Sequence, residues 1–284
     1  MKNWLKIKPV KAMRSSTLFI IFSLSLSLVS CIKKPENPLD PSSQSYIPPS
    51  VEIISGPKEG EIVKDNTVTF VWRGNSNANE FRYILEPYMS SWSGWSKNNS
   101  ATFSLLDDIP YKFTLQTRYE NQNEITSVIR NFSVDAIKGP GLKFYKLNNQ
   151  INLGSSVTLD VVLEDISNFE SASFRVSFEP LYLNLSSVSP GDIGNNVPVV
   201  ILPDFSRWSV IQEANNRGYV DITAGVLLSS PTQSIKSGSI VRLVFQSKKS
   251  GTTGLTLSNV KIVDPNGSQY SLNFSTSRAN VEIK

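Results

Sequence analysis

The 284-residue chain contains no histidine and a single cysteine, Cys31. Without an imidazole there is no Ser-His-Asp triad, no Cys-His nucleophile pair and no histidine acid–base work. Zinc sites of the Cys/His type are excluded on the same ground. One thiol cannot close an intrachain disulfide, and domains of this length do not need one to hold a core. Walker and dinucleotide glycine patterns are absent too, so the usual phosphate cradles are missing. Carboxylate pairs or a Ser/Lys arrangement remain open, yet no motif marks either. The chain therefore reads as non-catalytic, with no cofactor or metal expected. Long apolar runs are also lacking. Leu18 to Val29 offers 12 uncharged positions, whereas an apolar helix needs about 20 residues to cross a bilayer core.

That short run has a specific setting. Lys2, Lys6, Lys8, Lys11 and Arg14 precede it with no acid among them, and Leu28-Val29-Ser30-Cys31 ends it. A basic segment, a short apolar segment and a small residue form the order of a secretory signal peptide. The tetrad resembles the bacterial lipobox, in which the cysteine receives a diacylglyceryl group and becomes the mature N-terminus. The resemblance implies a signal peptide over 1–30, lipidation at Cys31 and a membrane as one partner. Ile32 stands where an inner-membrane retention signal would usually have Asp, so a Gram-negative host would place the protein in its outer membrane or at the cell surface. The plainer alternative is an ordinary cleaved signal with a cysteine nearby.

Removal of the signal also changes the charge. The full chain has 28 basic and 24 acidic residues, and the mature chain keeps 23 basic against the same 24. No Lys/Arg stripe is left to neutralise phosphates, which excludes nucleic acid as a partner. Residues 31–50 hold Pro35, Pro38, Pro41, Pro48 and Pro49 among polar residues. Such a linker cannot form a core and favours extended polyproline II, reaching up to roughly 60 Å.

From Val51 onward the pattern is all-β, with Val-, Ile-, Phe-, Tyr- and Thr-rich segments separated by Gly, Pro, Asn and Ser. Val68, Phe70 and Trp72 alternate with Thr67, Thr69, Val71 and Arg73; Phe81, Tyr83 and Leu85 alternate with Arg82, Ile84 and Glu86; and Phe113 and Leu115 follow. About seven strands over residues 51–136 predict one β-sandwich. Thr69-Phe70-Val71-Trp72, Phe81-Arg82-Tyr83, Trp92 and Tyr111-Lys112-Phe113 resemble fibronectin type III and related Ig-like modules, which implies a spacer more often than a binder. Trp92-Ser93-Gly94-Trp95-Ser96 looks like the WSxWS box of cytokine receptors, although it lies mid-domain rather than near the final hairpin. One reading makes it a Gly-containing turn whose tryptophans cap the sandwich core. The other makes Tyr88, Trp92 and Trp95 an exposed aromatic platform for sugar rings or a protein.

A breaker-rich joint, Asp135 to Gly141, leads to a second all-β domain over 141–284. Val157, Leu159, Val161 and Leu163 form one apolar face. Ala172, Phe174, Val176 and Phe178 form another, with Ser173, Arg175, Ser177 and Glu179 pointing away. Val220, Ile222 and Ala224 alternate with Tyr219, Asp221 and Thr223. Asp264-Pro265-Asn266-Gly267 marks a turn, and its two oxygen ligands are too few to argue for calcium. The order Gly154-Ser155-Ser156-Val157-Thr158-Leu159-Asp160-Val161, then Ala172 to Pro180, Val188-Ser189-Pro190-Gly191-Asp192, Gly218 to Ala224, Gly238 to Phe245 and Gly251 to Leu257 resembles a cohesin domain. That family is a jelly roll of nine strands that binds dockerins in cellulosomes. The resemblance implies a dockerin-like protein partner meeting the outward strand positions Ser171, Ser173 and Arg175, with Ser177 and Glu179 beyond. Dockerin-binding cohesins typically carry Asn and Asp there, so the two serines imply a departure from the usual specificity.

Two tandem β-sandwiches on a lipid tether thus point to non-covalent docking of a partner protein at the cell envelope. A carbohydrate-binding surface protein using Tyr88, Trp92, Trp95 and Trp208 on a polysaccharide is the alternative, and a purely structural envelope component a third. If Cys31 is the anchor, cells fed labelled palmitate incorporate label into the wild-type chain. Cys31→Ser abolishes incorporation and releases the protein from the membrane fraction, whereas an ordinary signal peptide gives no label in either chain.

Overall fold

The computed structural model describes residues 37–120, 125–194, 197–227, 235–273 and 278–284. The signal segment and Cys31 lie outside the described residues. The chain divides into two compact units, Met1–Pro48 and Pro49–Lys284. In the first, residues 37–48 are not extended. Asp40 N–H donates to Asn37 O at 3.0 Å and Ser43 N–H to Asp40 O at 2.8 Å, forming successive turns. Asn37 and Asp40 side chains accept the N–H groups two residues on, the Asx pattern that outcompetes polyproline II here.

The second unit begins with seven strands: β1 (Val51–Ser55), β2 (Glu61–Val63), β3 (Val68–Gly74), β4 (Glu80–Glu86), β5 (Ser100–Phe103), β6 (Pro110–Arg118) and β7 (Thr126–Val134). They form a three-stranded sheet, β1-β3-β5, and a four-stranded sheet, β2-β7-β6-β4. The alternating residues meet between the sheets, where Phe70 stacks on Phe113 at 3.9 Å and Trp72 packs against Phe81 and Tyr83. Burial of this aromatic cluster is the main favourable term for the sandwich. Tyr111, at the start of β6, donates its hydroxyl to Asp107 O and accepts from Asp107 N–H at 2.8 Å. This tie fixes the corner before the strand.

The second sandwich contains β8 (Gly141–Tyr145), β9 (Asn148–Ile151), β10 (Ser156–Glu164), β11 (Ser171–Ser177), β12 (Leu183–Pro190), β13 (Val199–Leu202), α1 (Trp208–Arg217), β14 (Tyr219–Val226), β15 (Gly238–Ser247), β16 (Gly251–Val263) and β17 (Arg278–Ile283). A four-stranded sheet, β12-β15-β10-β8, faces a six-stranded one, β13-β14-β11-β16-β17-β9. Leu159, Val161, Val176, Ala224, Leu243 and Phe245 are fully buried between them. Helix α1 departs from the all-strand reading of this region. It has no side-chain N-cap, and Gly218 ends it at φ 74° with its N–H on Ala214 O, a left-handed position that favours glycine.

The joint between the sandwiches is packed rather than loose. Gly139 abuts β10 so closely that an added Cβ would stand 2.2 Å from Glu164 O. Leu147 N–H donates to Asp107 Oδ1 at 2.8 Å, and Ala136 N–H donates to Asp108 Oδ1 at 2.8 Å. Lys143 Nζ sits between Asp108, at 2.8 Å, and Glu164. Burial works against this ammonium, yet the hydrogen bonds to the two carboxylates outweigh it and hold its pKa above the ordinary value. Burial raises Glu164, and Lys143 only partly offsets it.

Asp107 is the titrating member of the joint. Burial pushes its carboxyl from 3.8 up to about 6, against the Leu147 N–H and the charges of Lys146 and Lys143. A raised carboxyl pKa contributes stability below its unfolded value and loses it as pH climbs through the folded one. Asp107→Asn keeps an acceptor for Leu147 N–H and removes the buried charge. Thermal unfolding is therefore expected a few degrees higher for Asp107→Asn than for wild type at pH 8, and level with it at pH 4. Equal midpoints at both values would show that Asp107 is fully hydrated.

Candidate functional site

The outer face of the six-stranded sheet collects side chains from four strands. On β11, Ser171, Ser173, Arg175 and Ser177 share one side, opposite the buried Ala172, Phe174 and Val176. Ser173 pairs across with Thr223 on β14 and Lys261 on β16, and Leu202 on β13 pairs with Thr223. Glu179 is exposed but lies past the end of β11. There its carbonyl accepts the Tyr182 and Leu183 N–H groups, so it belongs to a turn and not to the face.

A trough of about 790 Å³ runs over this face. Ser173 and Thr223 lie along it, with Leu202 and Pro203 on the β13 side and Asn259, Val260 and Lys261 on the β16 side. Asn259 takes φ 52° beside a register shift between Ser173 and Arg175, a bulge that re-aims the neighbouring side chains. From β13 to β16 is three strand spacings, about 14 Å. An α-helix with side chains is about 10–12 Å across. The trough is therefore wide enough to seat one.

One end of the trough is electrostatically closed. Arg175 grips Asp221 with two parallel hydrogen bonds of 2.8 Å and stacks 3.8 Å over the Tyr219 ring. The hydrogen bond from Arg175 holds Asp221 below its ordinary pKa. Lys261, by contrast, makes no ion pair among the described residues. The face thus offers small hydroxyls, an apolar rim and one available cation. It has no arrangement of nucleophile and base, and among the described residues no group of acids could hold a metal.

The four aromatics considered for sugar binding do not form one platform. Trp92 and Trp95 do not cap the core either, since Trp72 fills it. They sit on the outer side of β4, where Arg82 stacks on both rings at 4.8 and 4.7 Å. Arg118 covers Trp95 at 4.2 Å. The guanidinium of Arg82 is aimed by Gln116 and that of Arg118 by Glu80, each at 2.8 Å. The WSGWS segment is strapped to β4 by the reciprocal Phe81–Ser96 backbone pair and by Ser93 N–H on Tyr83 O. Tyr88 instead packs edge-on against Phe103 beside the joint. Trp208 opens α1 in the other sandwich and is 62% exposed.

Fold and face define a two-sheet β-sandwich with a helix-wide trough on its six-stranded sheet. Residues 146–273, within the second sandwich, match the family model described as Cohesin domain, a family of non-catalytic protein–protein docking domains. Solved structures similar to the chain include a type II cohesin domain from the cellulosome of Acetivibrio cellulolyticus. It is 14% identical, covering 50% of this chain and 95% of that one, with a TM-score of 0.39. A non-cellulosomal cohesin from the archaeon Archaeoglobus fulgidus is 17% identical over 52% and 92%, with a TM-score of 0.37. The Coh-OlpA-Doc918 cohesin–dockerin complex from Clostridium thermocellum is 12% identical over 50% and 99%, with a TM-score of 0.39. No curated protein matches the chain.

The cation–π ladder yields a prediction for the first sandwich. Arg82→Ala removes the guanidinium shared by Trp92 and Trp95, each contact contributing on the order of 0.5–1 kcal/mol at a surface. Urea unfolding should show a loss of about 1–2 kcal/mol, with a red-shifted tryptophan emission in the native state. An unchanged spectrum would mean that the rings hold their places without Arg82.

Proposed function

We propose that this is a lipid-anchored cell-envelope protein whose cohesin domain docks a dockerin-like partner through the β13-β14-β11-β16 face. The observation that carries the reading is the trough itself. It lies on the domain that matches the cohesin family, its width fits a helix, and Ser171, Ser173 and Arg175 stand on the same face. The first sandwich is read as an Ig/fibronectin-III-like spacer. Its three-plus-four sheets, buried Trp72 and the Tyr111 corner support that. Anchoring rests on the residues around Cys31. No described helix is long and apolar enough to cross a membrane. Carbohydrate capture on a shared aromatic platform gains no support from rings that stack on arginines or lie in separate domains.

The test is direct. The mature chain, immobilised in calcium-containing buffer near physiological salt, is presented with a panel of dockerin modules and with the secreted proteins of its own host. Retention of a dockerin-bearing protein is expected, and Ser173→Arg or Thr223→Arg, which fill the trough, should weaken it at least 100-fold. Binding that tolerates both substitutions, or no retained partner, would defeat the proposal.

A further inference from the structure

The two sandwiches leave a second concave site where they meet. Its volume is about 210 Å³, room for roughly seven waters at ~30 Å³ each, or for one six-membered sugar ring. Tyr88, Ser90 and Asp107 contribute from the first sandwich, and Lys146, Asn148 and Asn149 from the second. Crevices between domains are favoured ligand sites because two rigid bodies supply convergent groups.

The walls are organised and the polar groups are not all spent. The Tyr88 hydroxyl donates to Ser104 O at 3.1 Å, and Asn148 lines the same crevice from across the joint. Asn149 Nδ2 donates to Lys146 O at 3.0 Å and to Asn280 O at 3.3 Å, so this amide is spent. Asp107 Oδ1 takes the Leu147 N–H, while its Oδ2 has no donor among the described residues. The Lys146 ammonium and the Ser90 hydroxyl have no partner among the described residues either. The lining also includes Pro87, Ile109 and Ile151.

We propose that this crevice binds a single hexopyranose unit, terminal or within a glycan, independently of the docking face. A sugar ring presents what the lining lacks. Its vicinal hydroxyls can donate to the free carboxylate oxygen and accept from the Lys146 ammonium and the Ser90 hydroxyl, while its C–H edges lie on the tyrosine and proline. Other chemistries fit less well. One carboxylate cannot cage a divalent cation. A lone lysine with no glycine loop is poor for phosphate, and the volume is too small for a nucleotide.

The experiment uses the full mature chain and methyl glycosides of glucose, galactose, mannose and N-acetylglucosamine, read by saturation-transfer NMR and titration calorimetry. At least one glycoside should show transfer, and Ser90→Arg should lower its affinity at least tenfold. Ser90 is exposed, so that substitution plugs the mouth without disturbing a core, and an unchanged unfolding midpoint confirms it. Trp92→Ala should leave binding intact. No transfer from any glycoside, binding undiminished in Ser90→Arg, or binding lost in Trp92→Ala would each overturn the site. Dockerin retention by Ser90→Arg separates failure of this site from failure of the docking reading.

Discussion

Everything distal to the first sandwich depends on one buried ammonium. Lys143 holds two carboxylates, Asp108 from the corner before β6 and Glu164 from the end of β10. The Asp108 side chain also receives the Ala136 N–H. Three charges out of water are costly unless each is compensated by good geometry. Here the joint residues 135–141 supply part of that compensation through backbone donors. A salt bridge of this kind stabilises little against an apolar alternative, and here it ties Asp108 of the first sandwich to Lys143 and Glu164 of the second. Leu105, from the first sandwich, also packs on the second core.

Much of this was legible in the sequence because a sheet imposes a period of two. Val157, Leu159, Val161 and Leu163 are all buried, as are Ala172, Phe174, Val176 and Phe178. The same holds for Val68, Phe70 and Trp72. The turn at Asp264 closes as its residues imply, with Asp264 accepting the Asn266 and Ser268 N–H groups. Helix α1 escaped notice for a physical reason. Arg207 occupies its N-cap without a side-chain cap, and only Ile211 and Ala214 are buried. Gly218 was the one available signal.

The trough face was half legible. Alternation shows which residues of β11 point outward, but it cannot show that β13 and β16 flank them. Leu202, Pro203, Asn259 and Lys261 enter the site only through strand order and a bulge. The tryptophans of the WSGWS segment illustrate the same limit. Their partners, Arg82 and Arg118, lie on strands whose register places Arg82 beside Gln116 and Arg118 beside Glu80. Spacing along the chain carries no trace of that pairing. Where local pattern and burial coincide the sequence is readable, and where cross-strand neighbours decide, topology must be known first.

The parallel pairing of β2 with β7 bears on how the molecule would carry tension. These strands join Glu61 to Phe132 and Val63 to Val134. The polypeptide enters through β1 into β2 and leaves for the second sandwich through β7. A pull from the N-terminal side against a partner held on the distal domain draws the two strands in opposite directions along their length. Their hydrogen bonds are then strained together in shear instead of opening one after another. With the joint stapled by Lys143 beyond it, the load falls on sheet and clasp.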